Sequence, residues 1–94
     1  MNNKKIKLIF FHADWCSQCK MMEPLIDKLV EDNNNVEIVK IDAGKDKGAI
    51  KKHELMGLPT LILEKDNIIE KQFTGPCFIG DIQEAIDSIG NESE

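Results

Sequence analysis

Residues 6–32 read Ile-Lys-Leu-Ile-Phe-Phe-His-Ala-Asp-Trp-Cys-Ser-Gln-Cys-Lys-Met-Met-Glu-Pro-Leu-Ile-Asp-Lys-Leu-Val-Glu-Asp. The first part, residues 6–12, is a short and nearly continuous apolar run. That pattern suits a strand buried on both faces. From residue 17 to 32 the spacing changes. Met22, Leu25, Ile26, Leu29 and Val30 recur every three or four positions, the stripe of an amphipathic helix. A strand thus hands over to a helix, and Cys16-Ser17-Gln18-Cys19 sits at the junction.

Working outward, Asp32-Asn33-Asn34-Asn35 ends the helix as a turn-forming cluster. Val36 to Ile41 reads as a second strand, and residues 46–55 as a short lysine-rich helix. Pro59 to Glu64 is a third strand. Lys65-Asp66-Asn67 is a hairpin turn leading into a fourth strand, Ile68 to Thr74. In the last helix Phe78, Ile79, Ile82, Ala85, Ile86 and Ile89 repeat at helical spacing, and Gly90 caps it. The order is β-α-β-α-β-β-α. The first β-α-β should form a parallel pair through a right-handed crossover, and the hairpin should add antiparallel strands to the same sheet. The expected fold is α/β, a four-stranded mixed sheet with helices on both faces. Residues 1–90 form one domain and 91–94 a flexible C-terminal tail.

Size and composition agree. A chain of 94 residues is one domain's worth, large enough to bury a core without staples. Apolar residues make up 41% and charged residues 31%, values of an ordinary globular protein. The net charge of −5 argues against nucleic acid as partner, because phosphate binding needs a basic surface. Lys4 and Lys5 precede an apolar run, but Leu8-Ile9-Phe10-Phe11 is too short for a secretory signal, and no cleavage site follows. No stretch approaches the roughly 20 apolar residues of a membrane span. A cytoplasmic monomer is the expectation.

The three cysteines are Cys16, Cys19 and Cys77. An odd number in a short chain is a poor disulfide framework, whereas Cys-x-x-Cys suggests redox chemistry or metal. A thiolate at a helix N-terminus feels the positive end of the dipole and unsatisfied backbone N–H groups, which lowers its pKa and makes it nucleophilic. A second thiol three residues on lies on the same face, one turn further in. It can attack a mixed disulfide formed at the first. Cys16 is therefore the entering nucleophile and Cys19 the more enclosed resolving thiol. Zinc needs four ligands, and only Cys77, His12 and His53 remain, with no second Cys-x-x-Cys or His-x-x-x-His pair. Placement and spacing favour redox over metal, and no cofactor is expected.

At this point the segment Phe11 to Pro24 resembles the active-site segment of the thioredoxin family. Gly57-Leu58-Pro59-Thr60-Leu61 resembles that family's cis-proline loop, and Phe73-Thr74-Gly75 the end of its last strand. The match runs from about Ile6 to Ile89. The first strand and helix of full thioredoxins have no counterpart, since the chain opens directly on the active-site strand. The resemblance implies a thiol–disulfide oxidoreductase that reduces protein disulfides by dithiol exchange through Cys16 and Cys19. A thioredoxin reductase or similar flavoprotein would re-reduce it. It implies that Pro59 is cis and lies against the sulfurs, and that the Leu58 backbone bonds an extended substrate segment. Trp15, Leu58, Pro59 and Gly75 would form an apolar substrate platform around Cys16. Pro24 would kink the first helix. His12 and Lys20 are candidate catalytic support.

The sequence departs from the family pattern at several points. Ser17-Gln18 stands where typical thioredoxins have Gly-Pro. These side chains add donors near Cys16, favouring its thiolate and a more oxidising couple. Phe10 occupies the position of the buried aspartate beneath the resolving thiol. His12, two residues on and on the same strand face, is a substitute base. Cys77 reads as a small buried hydrophobe or a third redox thiol. The lysines at 45, 47, 51 and 52 read as a solvated helix face, in preference to a site for an acidic partner reductase. His53 has no partner in sequence. Two rival functions remain: a glutaredoxin-like, glutathione-linked oxidoreductase, and a non-catalytic module in which the thiols bind metal or a partner. Trp15 before the motif, and the lack of a Cys-Pro-Tyr-Cys-like sequence, count against the first rival.

Overall fold

A computed structural model describes residues 6–91, with only the backbone of Asn91. The elements run β1 (Ile6–His12), α1 (Ser17–Glu31), β2 (Val36–Asp42), α2 (Lys47–Lys52), β3 (Thr60–Lys65), β4 (Ile68–Thr74) and α3 (Ile79–Asn91). They form a four-stranded sheet in the order β2-β1-β3-β4. β1 pairs parallel with β2 and antiparallel with β3, and β4 extends the sheet antiparallel to β3. The expected mixed sheet is present.

Side-chain alternation divides the sheet into two faces. Ile6, Leu8 and Phe10 of β1 join Leu61 and Leu63 of β3 against α1 and α3, whose Cys19, Met22, Ile26, Leu29, Ile82, Ile86 and Ile89 complete the larger core. The opposite face is smaller: Ile9, Phe11 and Ile62 pack with Ala49 of α2. β1 is thus covered on both sides, as its unbroken apolar run implies.

Local chemistry explains the turns. Asp66 and Asn67 both have positive φ, 55° and 68°, which is what a two-residue hairpin turn between twisted strands requires. A register shift between Leu63 and Glu64 leaves Glu70 as an extra residue in β4. Edge strand β4 is exposed over most of its length, including Ile68 and Ile69, and carries Glu70 and Lys71, charges that discourage pairing with another chain. At the end of α1, the Asn33 side chain donates to the Leu29 carbonyl at 2.7 Å and pairs with Gln83 of α3 at 2.8 and 3.0 Å.

Three details differ from the reading of the sequence. Leu25 is exposed, so the buried stripe of α1 is Cys19, Met22, Ile26 and Leu29. Phe78 precedes α3 instead of joining its apolar face, and is 80% exposed. Gly90 does not stop α3, which continues to Asn91. Among the described glycines only Gly75 has the positive φ that a glycine helix stop requires. The Ile89 carbonyl accepts from Lys65 Nζ at 3.3 Å instead. The predicted tail beyond Asn91 lies outside the described residues, as do Lys4 and Lys5. Among the described residues no helix is long and apolar enough to cross a membrane.

Candidate active site

β1 delivers the chain to the C-terminal edge of the sheet, where a turn closed by the Cys16 N–H to the Ala13 carbonyl at 3.1 Å reverses it into α1. Asp14 and Trp15 occupy the corner of that turn and are exposed, Trp15 by 73%. Cys16 follows as the N-cap of α1, with φ −98° and ψ 101°, outside the helical region. Its Sγ accepts the Cys19 backbone N–H at 3.1 Å, the role a serine or aspartate oxygen plays at ordinary helix starts. Sulfur here meets one of the N–H groups a helix leaves unsatisfied at its first turn.

Cys16 and Cys19 are joined as a disulfide, their Cα atoms 5.3 Å apart. Cys16 is 8% exposed and Cys19 2%, so the first is the more accessible, as expected. Both belong to the larger core cluster, with Phe10, Ala13, Met22 and Ile26. Phe10 is fully buried, and Thr60 is the one buried polar side chain among the described residues. No carboxylate sits in this core.

His12 lies half-buried at the end of β1, its ring stacked on Phe10 with centroids 5.4 Å apart. It therefore shares the face of Phe10, as the two-residue spacing implies. Lys20 is exposed, and only its backbone N–H reaches the site, donating to the Cys16 carbonyl at 3.3 Å. Ser17 and Gln18 are exposed, and neither side chain bonds the Cys16 sulfur. The donor to that sulfur is backbone, not the Ser17 or Gln18 side chain expected from the sequence. Pro24 lies within α1, which runs on past it to Glu31.

The Leu58–Pro59 bond is cis. Pro59 is buried, and its carbonyl accepts the Gly75 N–H at 2.7 Å, while Thr60 Oγ1 donates to the Gly57 carbonyl at 2.6 Å. Leu58 packs against both cores. Leu58, Pro59 and Gly75 thus form one tied unit. Trp15 lies by the β2–α2 loop, where a Cβ added to Gly44 would lie 3.4 Å from its Nε1. The exposed indole thus lies close to this loop, within van der Waals reach of Gly44. That contact joins residues far apart in sequence, and only the turn signal of Asp42-Ala43-Gly44 hints at it.

Cys77 packs half-buried against the larger core. Burial pushes its thiol pKa upward, and the Asp81 carboxylate adds to the effect. Among the described residues no group of three or more His, Cys, Asp or Glu side chains converges as a metal-ligand set would.

Known proteins are similar to this chain in sequence and fold. A family model described as Thioredoxin matches residues 1–88. A thioredoxin of Staphylococcus epidermidis is 39% identical over 62 residues, covering 65% of this chain and 60% of the relative. A thioredoxin of Staphylococcus aureus is 37% identical over the same length and shares. The match thus spans about 60% of the length of these curated relatives. Among solved structures, a mutant thioredoxin from Halobacterium salinarum superposes with a TM-score of 0.84 at 28% identity, covering 93% of this chain and 76% of that one. Oxidised mitochondrial thioredoxin 3 from Saccharomyces cerevisiae gives 0.80 at 29% identity, covering 92% and 81%.

Proposed function

The chain belongs to the thioredoxin family, and on that footing we propose that it reduces protein disulfides by dithiol exchange through Cys16 and Cys19. One observation carries the reading: Cys16 Sγ is the N-cap acceptor of α1, with Cys19 one turn further in and already bonded to it. In the reduced chain the same N–H and the helix dipole favour the Cys16 thiolate over the thiol.

The thiolate attacks a substrate disulfide. A Cys16–substrate S–S bond forms, the substrate S–S bond breaks, and the departing sulfur takes a proton from water. Cys19 then gives up its proton and attacks Cys16 Sγ. The mixed disulfide breaks, the internal disulfide closes, and the second substrate sulfur leaves and is protonated. Two electrons and two protons have passed to the substrate, and a flavoprotein such as a thioredoxin reductase returns two electrons to the chain. His12 takes the Cys19 proton, since Phe10 cannot. Its stacking on Phe10 supports this role. Trp15, Leu58, Pro59 and Gly75 receive the substrate segment around Cys16, and Lys20 lies at the rim of the site. The chain works as a monomer in the cytoplasm, where thiols are kept reduced.

Cys19→Ser removes the resolving sulfur and leaves the attacking one. It should hold its protein target as a stable mixed disulfide on Cys16, which mass spectrometry identifies. The wild type should accelerate insulin reduction by dithiothreitol. If neither occurs, the exchange reading fails. Efficient turnover of a glutathione mixed disulfide would favour the glutaredoxin-like alternative. In His12→Gln the second step should slow and its pH profile flatten. An unchanged profile removes His12 from the mechanism.

A further inference from the structure

Beside Trp15 lies a shallow depression of about 330 Å³, lined by Trp15, Ala43, Gly44, Lys47, Ile50 and Lys51. Its floor is apolar, and Ile50 is partly open to solvent on it. Lys47 and Lys51, one helical turn apart on α2, stand along one wall. Lys45 and Lys52 extend the positive strip, against Asp46 and Glu54 in the same stretch. Among the described residues none of these four lysines forms an ion pair, whereas Lys28 and Lys40 do. The chain as a whole carries −5. A positive strip with no carboxylate partner, set next to an exposed tryptophan and an apolar floor, is complementary to an acidic segment that also offers an apolar side chain.

We infer that this depression docks an acidic segment of the disulfide-bearing substrate, with an apolar side chain against Trp15 and Ile50 and carboxylates on Lys47 and Lys51. The inference rests on the exchange reading above and adds to it a preference among substrates. Trp15 immediately precedes Cys16, so a segment whose cysteine engages Cys16 has its neighbouring residues beside the depression. Exposed charge pairs contribute little to static affinity, but they raise the encounter rate and select partners.

The test uses two synthetic peptides, each with one cysteine activated as a 2-thiopyridyl disulfide. One is flanked by glutamate with a leucine, the other by glutamine with the same leucine. Release of thiopyridone by the reduced chain is followed by stopped-flow absorbance, and each rate is divided by that of free dithiothreitol with the same peptide. Two exposed ion pairs should favour the glutamate peptide about fivefold at low ionic strength. The preference should fall toward one at about 0.5 M salt, where the screening length is only a few ångströms. The double variant K47E/K51E should reverse it, an inversion that mere loosening of α2 does not produce. Equal rates in the wild type, or a preference retained by K47E/K51E, overturn the docking inference alone. No reaction with either peptide overturns the exchange reading, and this inference with it.

Discussion

If the Cys19 N–H is what makes Cys16 reactive, deleting that one hydrogen should be felt directly. Cys19→Pro and Cys19→Ala both remove the second thiol, but only proline removes the N–H. Placed in a Cys77→Ser background, each leaves Cys16 as the single thiol. Cys19 is the third residue of α1, and its N–H donates to Cys16 Sγ at 3.1 Å, not to a helix carbonyl. A proline ring there faces the Trp15 carbonyl four residues back, which lies outside the helix. A hydrogen bond to a charged acceptor stabilises it by about 1.5–3 kcal/mol. Cys16 is 8% exposed, so water restores part of that loss. A net loss of about 1.4 kcal/mol corresponds to a factor of ten in the thiolate population. The remaining first-turn N–H groups and the dipole still act, supplying about 0.3–1 kcal/mol. The assay is the pH dependence of alkylation by iodoacetamide. The proline variant should react about tenfold more slowly than the alanine variant near neutral pH. The two rates should converge in alkali, where both sulfurs are ionised. Urea midpoints of the two proteins report that α1 is intact in both. Coincident alkylation profiles across the pH range would refute the reasoning, because the sulfur would then owe its reactivity to something other than this bond.

Lys40 of β2 bridges Glu23 at 2.8 Å and Asp27 at 3.0 Å on α1. Lys40→Met should lower stability to urea by about 0.5–1 kcal/mol, the range of a partly exposed bridge. The hydrogen bonds to Glu23, and then to Asp27, raise the lysine pKa above its ordinary 10.5. A raised pKa means that, while Glu23 and Asp27 are ionised, this contribution is complete below the unfolded lysine value and is lost as pH climbs through the folded one, so on the alkaline side wild type and variant should converge only in strong alkali. Burial and then Asp81 push the Cys77 thiol up, so at pH 8 it should alkylate more slowly than a free peptide thiol by mass spectrometry. Cys77→Ser should leave insulin reduction intact. Gly75 has φ +84°, and a Cβ built there meets nothing within 4 Å. Gly75→Ala should therefore cost about 1–2 kcal/mol in urea denaturation, for conformation alone.

Much of the fold was legible because its signals are local. β1 and β4 begin and end where their apolar and turn residues place them, and Asp66-Asn67 accepts the left-handed pair its hairpin needs. α2 was less legible. The residues from 46 to 55 hold no helix breaker at their end, yet the helix stops at Lys52, with His53 as its C-cap and Glu54 turned to φ 52°. The Cys16–Cys19 pair was readable from spacing and its place after a strand. The cis Leu58–Pro59 bond followed from resemblance and not from composition. What local pattern does not encode is tertiary contact. Nothing in the spacing separates exposed Leu25 from buried Ile26, or places Trp15 over Gly44. Nor does composition tell that Ser17 and Gln18 face solvent and leave the sulfur to a backbone donor.

These particulars converge on how such a small domain divides its chemistry. Phe10 in the same core as the pair, and Thr60 as the one buried polar side chain among the described residues, leave that core without a carboxylate. A buried carboxylate would carry a large desolvation cost, and this core avoids it. The proton traffic of the exchange is then left to the rim. The Cys16 sulfur draws its stabilisation from a helix terminus, which is polar without being titratable. On the proposed mechanism the Cys19 thiol, 2% exposed, passes its proton outward to His12, whose ring stacks on Phe10 at the end of β1. On the inference drawn above, substrate choice moves outward for the same reason. On the docking inference, Lys47 and Lys51 beside Trp15, which form no ion pair among the described residues, discriminate one disulfide from another. A change in the core should therefore alter stability, and a change at the rim should alter rate or preference.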